Sequence, residues 1–339
     1  MRARALLGVG AVIAALLAPR PAAAQAAFFR SDSVFAMTIR TDLRTLYGDR
    51  DTSNAQWHPG SVTWTDGGGT HTVPVRLRTR GIFRLRTCDV PPIRLRFDED
   101  SVRGTALDSL RRPKLATHCM NTTGGEQNIL QEYTIYKVLQ LFTPWAYAVR
   151  LARVTYEDTT GRVRPATRWA FISEDPERFA ERMGAEPDTV WGRRWTRLVP
   201  SHAALLGVFQ YFIANTDWSM PGLHNINLYQ LADTLWAVPY DFDWSGTIDA
   251  SYARPAPQLR IRTVRQRVYR GVCQEEAALE PALARFEALR DSIADVYRAV
   301  PGLEPRLVQR AMDYYRDFYE DIADRPRFVQ SIVRPNCMR

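Results

Sequence analysis

The side chains best suited to chemistry are concentrated in two stretches late in the chain. One is Asn215-Thr-Asp-Trp-Ser-Met-Pro-Gly-Leu-His-Asn225-Ile-Asn-Leu-Tyr229, the other Val238-Pro-Tyr-Asp-Phe-Asp-Trp-Ser-Gly246. In each, an aspartate follows directly on an apolar element, which sets a carboxylate at the rim of a core. Such a group, shut away from water without a partner, is strongly destabilising, so it must be capped, paired or metal-bound. Taken singly, Asp217 reads as a cap or turn residue, and Asp241 and Asp243 as a tight turn after a strand. Taken together with residues upstream, they match the needs of phosphoryl transfer from ATP. That reaction asks for a lysine on the nucleotide phosphates, a carboxylate to hold it, a carboxylate near the attacking hydroxyl, and an Asn and an Asp for a divalent metal.

The order along the chain is Lys114 on a strand, Glu132 on the next helix, Asp217 after a long apolar helix, Asn225 entering a strand and Asp241 leaving the next strand. This is the linear order of a protein-kinase-like fold. Glu132 lies three residues after Ile129 and four before Tyr136, so it borders the helix's buried face and is placed to reach Lys114. Glu126, at the start of the helix, is the rival partner. Asp217 and Asn225 resemble a catalytic-loop D-x-x-x-x-N with a separation of eight residues instead of five, and Asn227 is a substitute for Asn225. Asp241-Phe242-Asp243 takes the place of D-F-G, with the glycine delayed to Gly246.

These segments, KLATHC, QEY, NTDW, HN and VPYDFDWSG, resemble the CotH (spore-coat protein H) kinase-like family over roughly residues 75 to 275. The resemblance implies an α+β, two-lobed protein-kinase-like fold that acts outside the cytoplasm on protein hydroxyls, with ATP and Mg²⁺ or Mn²⁺. It implies that Lys114 binds the nucleotide phosphates, Glu132 pairs with Lys114, Asp217 is the catalytic base, and Asn225 and Asp241 hold metal. Asp243 has no counterpart in D-F-G and reads as a second ligand or a structural turn residue. Arg80-Gly81 resembles the family's Arg-Gly element, which makes Arg80 a candidate phosphate contact. Gly67-Gly-Gly69 reads as a hairpin turn, not a phosphate cradle.

The elements that must position these groups are legible in the hydrophobic period. Ser61–Asp66 and His71–Arg78 alternate on either side of the glycine turn, and Ile93–Phe97 alternates likewise. Helical spacing runs from Asn128 to Phe142, followed by strands over Ala148–Tyr156 and Thr167–Ile172 and a short helix over Pro176–Met183. An apolar helix is expected over Ser201–Ala214, strands over Ile226–Gln230 and Leu235–Tyr240, and charged helices beyond Glu275. The division expected is a leader over residues 1–26, a strand-rich lobe over 27–175 and a helical lobe over 176–339.

Composition sets the frame. With 339 residues, 45% hydrophobic and 24% charged, the chain is neither disordered nor a small disulfide scaffold. Arg2 and Arg4, the apolar run Ala5–Ala18 and the small residues up to Ala26 form a secretory signal pattern, so an exported protein without a transmembrane anchor is expected. Only Lys114 and Lys137 are lysines, against 43 arginines. The arginines look scattered, which argues against a nucleic-acid partner and leaves ATP and an unidentified protein acceptor as the expected partners. In an oxidising compartment Cys88 is expected to bond Cys119, and Cys273 to bond Cys337. A zinc site at His118 and Cys119 is the weaker alternative, since no ligand spacing supports it. Two other functions stay open: a non-catalytic kinase-like envelope binding protein, and a glycosyltransferase using Asp241-Phe-Asp243 as a D-x-D motif. The second is disfavoured because the strands before Lys114 lack crossover helices.

Overall fold

Alternating side chains make one face of a strand apolar, and closing such strands on themselves buries that face. The computed structural model describes residues 27–108 and 110–338, so the expected leader lies outside the described residues. Seven strands form a closed barrel: β1 (Phe35–Thr41), β2 (His58–Asp66), β3 (Gly69–Thr79), β4 (Ile93–Phe97), β5 (Lys114–Ala116), β6 (Val149–Asp158) and β7 (Ala166–Ser173). Their order is β1-β2-β3-β4-β5-β7-β6, and the parallel pairing of β1 with β6 closes the ring. Along β3, Val73, Val75 and Leu77 enter the barrel core while Arg76 and Arg78 point away from it. Along β4, Ile93, Leu95 and Phe97 do the same, with Arg94 and Arg96 outside.

Short helices α1 (Leu43–Gly48), α2 (Phe83–Thr87) and α3 (Glu99–Val102) lie in the barrel connections, and α4 (Thr123–Phe142) joins β5 to β6. Beyond the barrel come α5 (Pro176–Met183), the strand β8 (Glu186–Asp188), α6 (Pro200–Phe212) and the hairpin β9 (Ile226–Leu231) and β10 (Thr234–Pro239). These last strands form a small sheet in the order β10-β9-β8. Helices α7 (Glu276–Ala288), α8 (Arg290–Ala299) and α9 (Pro305–Ala323) complete the chain with a π-helical turn over Phe328–Val333. The fold is thus α+β, with helices concentrated toward the C-terminus.

Helix α4 begins at Thr123, five residues before the expected Asn128. Thr122 caps it, its hydroxyl accepting from the Gly125 amide at 3.1 Å. The two glycines hide this start from a propensity reading, yet Gly125 is required. A Cβ there would lie 2.2 Å from the Met120 carbonyl oxygen and 2.6 Å from that of His118. The apolar side of α4, including Ile129, Leu139 and Phe142, packs into the same core as α6, α7 and α9, so this helix of the strand-rich half is anchored in the helical half.

Both expected disulfides form, Cys88–Cys119 and Cys273–Cys337. Cys119 is therefore no zinc ligand. Such bonds persist in oxidising compartments. Among the described residues no helix is long and apolar enough to cross a membrane.

The two glycines of the first turn of α4 should respond oppositely to alanine. Gly125→Ala forces a clash with backbone and should cost about 2 kcal/mol or more, whereas Gly124→Ala meets only the Thr122 hydroxyl at 3.8 Å and should be neutral or slightly stabilising. Urea denaturation of the two variants checks this, and equal stabilities would contradict it.

Candidate active site

The site is organised by a residue the sequence did not single out. Arg84, only 6% exposed, places one guanidinium nitrogen, Nη2, 2.5 Å from Asp241 Oδ1, 2.7 Å from Asp243 Oδ1 and 3.3 Å from Glu132 Oε2. One cation thus joins the β3–β4 connection to α4 and to the loop after β10. Its own segment is held on several sides. Gly81, at φ +94°, turns the chain out of β3. Phe83 meets Trp244 edge-on with ring centroids 5.0 Å apart, and Arg50 donates to the carbonyls of Leu85 and Cys88. The Cys88–Cys119 bond then ties this segment to the stretch between Lys114 and α4. Nothing local marks Arg84 among 43 arginines, and its partner Asp241 lies 157 positions away.

Glu132 is buried, as its helical position predicts, but its ion-pair partner is Arg84 and not Lys114. Lys114 lies in the same small pocket, with Arg80, Glu132, Tyr136, Tyr240 and Asp241. Its ammonium sits 4.8 Å from the centroid of the Tyr240 ring and 5.9 Å from that of Tyr147. Glu126, the rival partner, is committed elsewhere: it pairs with Arg153 at 2.9 Å and accepts from the Trp169 amide at 3.0 Å. The enclosed space beside Lys114 is about 10 Å³, room for roughly one water. The cleft is therefore closed in this conformation.

Charges in this cleft are strongly perturbed. Burial, reinforced by the nearby charges of Arg80 and Arg94, lowers the Lys114 ammonium to about 7. Burial also pushes the carboxyls of Glu132 and Asp243 up, against the pull of Arg84. At Asp241 burial acts in the same sense, but Arg84, Arg80 and Lys114 outweigh it and hold this carboxyl below its ordinary range. Three adjoining carboxyls are thereby set apart by their neighbours, Asp241 shifted down and Glu132 and Asp243 shifted up. Arg84 itself is held well above its usual value because Asp241, Asp243 and Glu132 outweigh its desolvation.

The second loop stands beside the first. Asn225 Nδ2 donates to the Asp217 carbonyl at 2.8 Å and to its carboxylate at 3.0 Å, so the eight-position loop still brings the two side chains together. Residues 219 and 224 pair across that loop through reciprocal backbone bonds of 2.9 Å and absorb the extra length. His224 Nε2 lies 2.9 Å from Asp217 Oδ1, and that bond raises the imidazole above its ordinary range. The Tyr240 amide donates to the Asn225 carbonyl at 3.0 Å, which sets Asn225 beside Asp241. Asn227 instead donates to the Tyr147 hydroxyl and belongs to a different network. Ala214, Leu223, Asn225 and Asp241 all hold positive φ between 46° and 63° without being glycine, so backbone strain collects in these two loops.

A divalent metal was expected at Asn225, Asp241 and Asp243. Among the described residues no group of three or more acidic, His or Cys side chains encloses an ion. The donor chemistry nonetheless fits a hard cation, which favours carboxylate and amide oxygens and keeps several waters. Asp241 Oδ2 and Asn225 Oδ1 accept no hydrogen bond from the described residues, while Arg84 covers Oδ1 of both Asp241 and Asp243. Arg94 was also missed by the sequence reading. It lies opposite Lys114 on β4, and its Nε, like that of Arg80, is buried without a hydrogen-bond partner. Compared with known proteins, the chain matches no protein-family model and no curated protein.

Arg84→Met would strand buried carboxylates without their cation and should destabilise the protein by roughly 3 to 5 kcal/mol. Chemical denaturation at pH 7.5 checks this, and a loss under 1 kcal/mol would show that the cluster is not a structural clamp. Lys114 predicts a pH dependence of definite sign. In the unfolded chain its amine is protonated up to about 10.5, whereas in the folded protein it loses its proton near 7. The unfolded state therefore binds more protons across that window, and stability rises with pH. Urea titrations at pH 7 and 9 should show wild type gaining stability relative to Lys114→Met, and parallel behaviour would refute the assignment.

Proposed function

We propose that the chain is an exported phosphotransferase of two-lobed, protein-kinase-like fold. The barrel half is the smaller lobe, and the cleft beside Lys114 is the nucleotide site. The observation that carries this reading is the meeting of four separate segments at one cleft, Arg80, Lys114, Glu132 and Asp241, with the Asp217–Asn225 pair held beside it through the Tyr240 amide. These are the residue types that phosphoryl transfer requires.

In this reading Lys114, Arg80 and Arg94 receive the phosphates of ATP. The lowered Lys114 regains its proton when anions arrive. Asp217, held by Asn225 and His224, accepts the proton of an acceptor hydroxyl as that oxygen bonds the γ-phosphorus and the bond to ADP breaks. Asp241 and Asn225 would hold Mg²⁺ or Mn²⁺, with Asp243 as a further ligand, and such an ion supplies charge neutralisation on the phosphates. Entry of a nucleotide into a space of about 10 Å³ requires the cleft to open, and the Arg84 clamp is the link that must yield.

A second reading is a kinase-like binding protein without catalysis. Its supporting observation is that Glu132 is engaged by Arg84, leaving Lys114 without the carboxylate partner active kinases use. Equilibrium nucleotide binding and radiolabel transfer, measured on mature protein with Mg²⁺ or Mn²⁺, separate the two. The leading reading expects labelling of the protein or an added acceptor, lost by about a hundredfold or more in Asp217→Ala and Asp241→Ala. Lys114→Arg should lose far more activity than Lys137→Arg, because Lys137 only pairs with Asp32 at the surface. Binding without labelling would favour the second reading. No nucleotide binding under either metal would overturn the first, and binding of UDP-sugars in place of ATP would revive the D-x-D alternative.

A further inference from the structure

Five of the arginines that look scattered in the sequence lie together on one face of the barrel. Antiparallel register sets Arg76 opposite Arg96, Arg78 opposite Arg94, and Arg94 opposite Lys114, all outside the barrel core. Like charges directly across a ladder destabilise it. Among the described residues, Arg76, Arg78, Arg80, Arg94 and Arg96 form no ion pair with a carboxylate, whereas nearby Arg103, Arg111 and Arg112 each have one. Trp57 orients two members of the row, with the Arg78 and Arg96 guanidinium carbons 4.7 and 5.8 Å from its ring centroid. At the outer end of the row the face opens into a groove of about 1,050 Å³, lined by Trp57, Pro59, Pro74, Arg76 and Arg96 among others.

We propose that this face is a docking track for an acidic segment of the acceptor protein, leading its hydroxyl toward the cleft at Lys114. The proposal rests on the phosphotransferase reading for the acceptor's role, though not for the binding itself. From Arg76 to Arg80 the track is about 13 Å long, the span of roughly four extended residues. Unneutralised guanidinium groups select carboxylates or phosphates. Asp98 and Glu99 line the same groove together with Arg111 and Arg112, Glu99 pairing with Arg111 at 2.7 Å, so cations and carboxylates alternate along it. That mixed lining suits a polypeptide, which can present carboxylates to the unpaired arginines and neutral or apolar residues to Pro59 and Pro74, better than a polymer charged at every unit. Trp57, already engaged by two guanidinium groups, is poorly placed to stack bases.

Fluorescence anisotropy with a labelled twelve-residue peptide of alternating Glu and Ala, without nucleotide, tests this directly. Binding to the wild type is expected. It should weaken at least about tenfold in Arg76→Glu/Arg96→Glu and fall as salt rises from 50 to 200 mM. Nucleotide affinity and autolabelling should be unchanged in that variant, since both residues lie outside the cleft. No peptide binding, or binding untouched by the double substitution, overturns the track. Tighter binding of a single-stranded oligonucleotide or sulfated glycan of equal charge overturns the choice of an acidic protein segment. Peptide binding in a protein that takes up no nucleotide would leave the track standing and fell the kinase reading alone.

Discussion

A single guanidinium nitrogen shared by three carboxyl groups is the interaction on which the rest of this protein turns. Arg84 comes from the barrel, Glu132 from α4, and Asp241 and Asp243 from the loop after β10. Deep burial makes such a cluster costly unless every member is paired, because desolvation of an ion rivals the attraction it gains. What the cluster supplies is position. The three carboxyls meeting one nitrogen hold the three segments against one another. The Cys88–Cys119 bond serves the same end, holding the Arg84 segment to the chain that carries Lys114.

The charge pattern inside the cleft follows from that arrangement. Burial raises all three carboxyls, but at Asp241 the combined pull of Arg84, Arg80 and Lys114 outweighs it and shifts this carboxyl down, while Glu132 and Asp243 are shifted up. Lys114 is lowered by burial, and the crowding of Arg80 and Arg94 beside it acts in the same sense. A lysine at this one position thus has a physical sense. A guanidinium would not release its proton in such surroundings, whereas an ammonium can.

Backbone strain is distributed in keeping with this. Positive φ at Ala214, Asn225 and Asp241 falls at the mouths of the two loops that bear the aspartates. Packing around them is dense and aromatic. Tyr136 and Phe242 meet at 4.8 Å, and the Tyr136 hydroxyl accepts from the Asp241 amide at 2.9 Å, so the core beneath α4 fixes the loop above it.

Sequence alone determined the local elements and much of their chemistry. Period-two alternation marked the β2–β3 hairpin and β4, helical spacing marked α5 and α6, and four cysteines in a chain with an export pattern paired as expected. The two aspartate-bearing loops were legible because each follows an apolar element whose end is visible in the hydrophobic pattern. Only the tertiary structure decided who pairs with whom. Glu132 was readable as a buried carboxylate on α4, but its partner was not, because Arg84 is chemically identical to 42 other arginines and its contacts cross long spans of chain. The arginine row on β3 and β4 was hidden for the same reason: alternation shows that each strand has a cationic face, and only register shows that the two faces coincide. Parallel closure of β1 on β6 and the close approach at Gly125 are likewise long-range facts. Periodicity is a property of neighbours along the chain and survives in the sequence, whereas pairing is set by which distant surfaces exclude water together, and no single segment carries that information.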